Sequence, residues 1–301
     1  MSARGKSINL FLMDGDPSGR IKCTLANWTG VAYKIPRTEL DKCKGRDDLS
    51  QSGVYFLFGI SDETGESVVY IGQAGIRKNG EGILYRLQEH KRNEKKDYWT
   101  EAVVFTTSNN SFGPTEISYL ENRFTTMATF AKRYYIKNAN DPSPGNITEE
   151  KESELEEFID YAAIVMGTLG HKVFEPLTKI KNKVTIDAIP VEADDNILHL
   201  KRNIKNLNVT VKATGKQTAE GFIVLSGSII SPSHDDGILE SIKQIRVKAK
   251  ADNNILQEDI LCTSPSFAAM VVIGKSANGL TSWKTAEGKT LKELESAESH
   301  V

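Results

Sequence analysis

Apolar and polar positions change period several times along the 301 residues, and each change marks an element. Residues 7–13, SINLFLM, read as a strand. DGDPSG follows as a tight turn, and RIKCTLANWTGVAYKIP supplies one or two more strands. The charged stretch Glu39–Asp48 leads out as a short helix or loop. QSGVYFLFG and VVYIGQA, joined by the polar turn SDETGES, predict an antiparallel hairpin. After the Gly-rich AGIRKNGEG the period lengthens to that of a helix, from about Ile83 to Arg92, and AVVFTT (102–107) is a third strand. Gly113-Pro114 then opens a helix to about Arg133, on which Ile117, Leu120, Phe124, Met127, Ala128 and Ala131 recur at helical spacing.

The clearest break is NANDPSPGN (138–146), dense in Pro, Gly and Asn. An acidic helix start, TEEKESELEE, follows it and becomes amphipathic through Leu155, Phe158, Ile159, Ala162, Val165, Met166 and Leu169; it reads as a connecting helix whose acids favour its own N-terminus. From Val184 to Ala219 the chain is polar and basic, and beyond it GFIVLSGS reads as a strand and Gly237–Lys250 as a helix. The expected organisation is α+β. It comprises an N-terminal β-rich segment (1–50), a folded block with a small three-stranded antiparallel sheet flanked by helices (51–140), a linker and amphipathic helix (141–183), a polar basic connector (184–208) and a C-terminal α+β domain (209–295).

Composition changes this picture only at the edges. With 38 basic and 40 acidic residues the net charge is −2, so bulk charge does not recruit nucleic acid, and any such surface must be a local patch. Two patches exist. Arg86–Lys96 holds five Lys/Arg against two Glu, and His199–Lys216 holds five with no acid, whereas Glu149–Asp160 sets seven acids against one lysine. Each basic run reads equally as a solvated face or a flexible connector. Three cysteines (Cys23, Cys43, Cys262) without a CxxC pair, and five scattered histidines, argue against a disulfide framework or a Cys/His-built metal site. The longest apolar runs fall far short of the ~18 residues that span a bilayer, and no signal-peptide core is visible, so a cytoplasmic protein without a membrane partner is expected.

Candidate chemistry sits in residues 53–138. Gly53-Val54-Tyr55 lies on one strand and Tyr70-Ile71-Gly72 on the next, so two tyrosines occupy paired strands. Arg86 and His90, four apart, share a helix face. On the next helix, with Ile117 taken as zero, the apolar stripe spans about −80° to +20°; Glu121 falls near +40° and Glu116 near −100°, so periodicity alone does not choose between the two carboxylates.

In order and spacing this set resembles the GIY-YIG nuclease family. GVY stands for GIY, YIG is intact, Arg86-xxx-His90 matches the helix motif, Tyr119-Leu120-Glu121-Asn122 the glutamate motif, and Tyr135-Ile136-Lys137-Asn138 the terminal Tyr/Asn motif. The resemblance covers Gly53–Asn138, under a third of the chain. It implies a metal-dependent DNA endonuclease. Glu121 would ligate one Mg²⁺ or Mn²⁺ ion, and Arg86 would neutralise the phosphate with its forked donors. Tyr70 would be general base or relay, while Tyr55 and His90 would position water and phosphate, His90 being the second candidate for proton transfer. A phenol of unperturbed pKa ~10 is a poor base at pH 7, so that role demands a neighbouring cation. DNA contacts would come from Arg86, Lys91, Arg92 and Asn138. Without the motif, tyrosines in strands are amphipathic core-edge residues, and Arg86 and His90 a solvated helix face.

The closing stretch SPSFAAMVVIGKSANGLTSWKTAEGKTL has Ser264-Pro265 or Ser266 as cap of a short apolar helix, a turn at Asn278-Gly279, and Trp283. Over Val209–Leu294 it is similar to a C-terminal domain of unknown function found behind GIY-YIG nucleases, and to the restriction-enzyme and adenine-methylase-associated domain. That resemblance implies nucleic-acid recognition that aids substrate choice; the bland reading is a structural domain with Trp283 as a core anchor. Two competing functions stay open: a noncatalytic nucleic-acid-binding protein on the same scaffold, and an RNA-directed nuclease. Oligomeric state is not legible.

Overall fold

The computed structural model describes residues 5–93, 96–138, 142–177, 197–204, 207–249 and 251–298. The chain divides into two units, Met1–Pro176 and Leu177–Val301, and both mix helices with sheet. No helix among the described residues is long and apolar enough to cross a membrane.

The first unit runs β1 (Ile8–Leu12), β2 (Ile21–Leu25), β3 (Gly30–Pro36), β4 (Gly53–Ile60), β5 (Ser67–Ala74), α1 (Ile83–Arg92), β6 (Trp99–Thr107), α2 (Pro114–Ala131), β7 (Tyr135–Ile136) and α3 (Glu149–Thr168), with two short 3-10 turns between β3 and β4. β4, β5 and β6 form the expected antiparallel trio in the order β6-β4-β5. They do not stand alone. The sheet has seven strands, β1-β2-β3-β6-β4-β5-β7, and only the β5–β7 pair is parallel. The joint is β3 against β6, from Gly30 opposite Thr107 to Pro36 opposite Glu101. The expected N-terminal segment is therefore an integral part of this sheet. A β6 left at an edge would have offered its unpaired N–H and C=O groups to water or to another chain.

β4 is apolar almost throughout, as a central strand covered on both faces must be. Val54, Phe56 and Phe58 point to one side, where Val69, Ile71, Ile117, Leu120 and Phe124 complete a core. Tyr55 and Leu57 point to the other, among Ile83, Leu87 and Trp99. The helix read as a connector, α3, belongs to the first of these cores through Leu155, Phe158, Ile159, Ala162, Val165 and Met166. Its start is fixed by Thr148, whose hydroxyl accepts the Lys151 N–H at 3.4 Å, and by Glu149, Glu150 and Glu152 in the first turn. Of the Pro/Gly-rich break, residues 139–141 lie outside the described residues.

The second unit comprises β8 (Leu198–Ile204), β9 (Val209–Thr218), β10 (Gly221–Val224), α4 (Glu240–Lys248), the two-residue pair β11 (Ala251–Asp252) and β12 (Ile255–Leu256), β13 (Ile260–Cys262), α5 (Pro265–Ile273), α6 (Gly279–Ser282) and α7 (Leu291–Glu298). Its antiparallel sheet has the order β13-β10-β9-β8. The sequence pattern places residues 184–208 in a connector. Residues 184–196 lie outside the described residues, but 198–204 are strand β8, fully paired with β9. Leu198, Leu200 and Ile204 face the core, and the charges between them are what make the segment read as a linker.

Ser264 is the cap of α5, accepting the Phe267 N–H at 3.1 Å, with Pro265 in the first turn. Trp283 is fully buried. Its indole donates to Pro265 O at 3.0 Å and its ring packs 4.6 Å from that of Phe222, so it anchors the core.

Candidate active site

β7 covers only Val68 and Val69 of β5, so the second half of β5, Tyr70 to Gln73, runs along an open edge. There the two faces of the sheet come within reach of each other. Tyr55 lies opposite Gly72 and Leu57 opposite Tyr70, which puts both tyrosines on the α1 face with ring centroids 6.2 Å apart. α1 brings His90 against both rings, 5.4 Å from each. From the other face, Gln73 on β5 meets Glu121 on α2, and Arg86 is near enough to act on the Glu121 carboxyl. The structure thus brings Tyr55, Tyr70, Arg86, His90 and Glu121 to one edge.

Gly72 makes this packing possible. A Cβ at that position would overlap the Tyr55 hydroxyl and lie 2.9 Å from Tyr70 Cε1. Gly53 answers a similar demand on β4, where a Cβ would meet Phe105 O and Ile83 Cδ1. The glycines of both strand motifs therefore have steric reasons in this fold.

The electrostatics divide the site into a dry half and a wet half. Tyr55 Oη and His90 Nε2 are 2.7 Å apart, and both side chains are buried. Burial, the neighbouring Tyr70 and the Glu121 charge hold the Tyr55 phenol protonated well beyond the ordinary range. Burial, and then the positive charges of Lys96 and Arg86, pull His90 down to about 3, so its ring is neutral at pH 7. With Tyr55 as donor, Nε2 accepts and the ring proton sits on Nδ1. Tyr70 and Arg86 are half-buried and form the accessible side. Arg86 donates to Glu89 at 2.8 Å, and the other Glu89 oxygen takes Arg77 at 2.8 Å.

Glu121 is half-buried, and desolvation raises its carboxyl pKa while Gln73 and Arg86 work to keep it charged. Among the described residues no Lys or Arg nitrogen lies within ion-pair distance of it. Glu116 goes elsewhere: its carboxylate curls back beside Gly113 and lines a separate hollow with Trp28 and Phe158.

Two of the residues expected to contact a ligand, Asn138 and Lys91, are engaged within the protein. Asn138 is spent on the protein itself. Its Oδ1 accepts the Ile71 N–H at 3.0 Å and its Nδ2 donates to Ile71 O at 2.7 Å, so the amide takes the place of a neighbouring strand and fixes the Tyr70-Ile71-Gly72 backbone. Lys91 points to the 3-10 turn that follows β3, where it pairs with Asp41 at 2.8 Å. Arg92 is exposed at the end of α1.

Two residues of the site escape sequence reasoning. Lys96 counts there only as one of five bases, yet its ammonium stands 3.5 Å from the centroid of the Tyr70 ring, and burial with Arg86 beside it lowers its pKa to about 8. Gln73 is three residues beyond Tyr70 and so on the opposite face, a position that strand alternation could have flagged. No curated protein and no solved structure matches the chain. In the second unit, residues 203–295, from the end of β8 into α7, match the family model of a domain of unknown function (DUF4357), which agrees with the C-terminal domain of unknown function expected there.

Proposed function

We propose that the chain is a metal-dependent DNA endonuclease of the GIY-YIG type, hydrolysing phosphodiester bonds with one divalent cation, with the C-terminal domain aiding substrate choice. The observation that carries the reading is the convergence of Tyr55, Tyr70, Arg86, His90 and Glu121, drawn from four elements, at one open strand edge.

Glu121 fits a hard divalent cation such as Mg²⁺ or Mn²⁺. Its charge is half-desolvated, met by a neutral amide, and left without an ion pair at contact distance, which a cation would relieve. The chemistry such an ion supplies is to offset the charge that builds on the non-bridging phosphate oxygens. Arg86, tethered on one side by Glu89, keeps donors for a phosphate oxygen. Lys96 adds positive charge over the Tyr70 ring. His90, with a pKa near 3 and bonded to Tyr55, is too weak a base to take a proton from water at pH 7. That leaves the half-exposed Tyr70 hydroxyl as base or relay, with the buried Tyr55–His90 pair as the wall that fixes its ring. Asn138 is a positioning residue, holding the backbone on which Tyr70 stands.

The test is a cleavage panel of duplex, single-stranded, branched and base-modified DNA, and RNA of the same sequence, supplied with Mg²⁺ or Mn²⁺. Nicking of DNA that vanishes in Glu121→Ala and falls steeply in Tyr70→Phe and Arg86→Ala is the expected result. Robust cleavage by pure Glu121→Ala protein would sink the metal assignment, and DNA retention with no cleavage under any condition would sink the enzyme.

A further inference from the structure

The β8–β9 ladder of the second unit has one face in the core and one in water. On the watered face stand His199, Lys201 and Asn203 from β8 and Thr210, Lys212, Thr214 and Lys216 from β9, with no acid among them. Lys201 is directly opposite Lys212. Like charges in that register repel each other and cost stability. Among the described residues neither ammonium has a carboxylate within ion-pair distance. Lys284 extends the same row, because it bridges His199 from the outer side of β8, and it too is exposed. A hollow of about 420 Å³ opens here, lined by His199, Lys201, Lys212, Thr214, Ser228 and Ile229.

An uncompensated like-charge pair facing a hollow is the arrangement a polyanion would relieve. We infer that this face of the C-terminal domain binds the phosphate backbone of DNA through Lys201 and Lys212, with Lys284 and His199 flanking them. The identity of the polyanion rests on the nuclease reading; the surface itself does not. Flexible ammonium groups on this ladder reach phosphates as point charges, so the binding is independent of sequence and serves to retain the substrate. The basic run that reads as a connector in the sequence thus acquires a definite surface.

The experiment uses the full chain carrying Glu121→Ala, which keeps the DNA intact, and measures the affinity for a labelled duplex at several salt concentrations. Lys201→Thr/Lys212→Thr removes both charges while leaving strand-favouring residues. Binding should weaken by on the order of tenfold near 0.1 M salt, and the slope of log K against log salt should drop by about 1.8, or about 0.9 for each phosphate that is no longer neutralised. With the repulsion gone, the variant should melt no lower than its parent. Lys201→Arg/Lys212→Arg should retain the parental affinity. Lys243→Gln/Lys248→Gln, an equal charge loss on α4, should leave affinity and slope unchanged.

An unaltered affinity and slope in the threonine variant, an equal loss in the α4 control, or no DNA binding by the parent overturns the inference. A chain that binds in this way yet cuts no substrate removes the nuclease and keeps the surface. One that cuts DNA while ignoring both lysines removes the surface and keeps the nuclease.

Discussion

Alanine in place of Gly72 perturbs the site without removing any of its polar groups. Gly72 faces Tyr55 across the β4–β5 ladder, and a Cβ there would overlap the Tyr55 hydroxyl, with Tyr55 Cζ 2.5 Å and Tyr70 Cε1 2.9 Å away. Its backbone is not the obstacle, since Gly72 is not among the glycines with positive φ. In open space the substitution would therefore gain about 0.5–1 kcal/mol by restricting the unfolded chain. Against that, overpacking costs about 1–3 kcal/mol. A displaced Tyr55 also gives up its bond to His90, worth about 1 kcal/mol, between two side chains that are both buried.

The balance is a net loss of about 1–3 kcal/mol. Hydrogen exchange of the β4 amides reads the first unit alone, and a loss of that size speeds exchange about 5- to 150-fold. In a Tyr55→Leu background the ring is gone and the new methyl fills part of the vacated space, so the same substitution should be neutral or stabilising. An equal cost in both backgrounds, or no cost in either, would refute the steric account of this glycine.

Three other outcomes follow from the same geometry. His90 is held near 3 in the folded state against ~6.5 unfolded, so the unfolded chain binds more protons as pH falls; stability should drop by about 2 kcal/mol between about pH 7.5 and 5, above the carboxylate range, and the slope should flatten in His90→Gln urea titrations. Asn138→Ala strands both backbone groups of Ile71 and should cost about 1–3 kcal/mol, visible as faster exchange at Ile71, together with loss of cleavage although residue 138 is not assigned to the substrate. Ser264→Ala removes the cap of α5 and should cost about 1 kcal/mol in the melting of the second unit while leaving the first unchanged.

Local pattern carried the elements well and their assembly poorly. The helix over Ile83–Arg92 and the hairpin around SDETGES were legible because period and turn chemistry are properties of a few consecutive residues. The β3–β6 ladder was not, because it joins residues 30–36 to 101–107 and no single-chain periodicity reports a partner. β8 was hidden by its own charges. Arg202 sits at an inward position of the strand yet remains exposed, which breaks the alternation that would have marked a strand. Within the site, the tyrosines, Arg86, His90 and Glu121 were nameable from motif order. Which carboxylate turns toward Arg86, what Asn138 holds, and where Lys96 stands depend on how the two faces of the sheet meet at β5, and only the folded arrangement contains that.

The amide of Asn138 has a further consequence, for association. An open strand edge invites another chain to pair with it. Along the outer side of β5, Lys137 N–H already occupies Val69 O, and Asn138 engages both the N–H and the C=O of Ile71. An incoming strand would have to evict a pre-formed pair of hydrogen bonds before it gained any of its own. The edge can thus stay uncovered for a ligand while being closed to β-addition, so that accessibility and resistance to aggregation are supplied by one side chain.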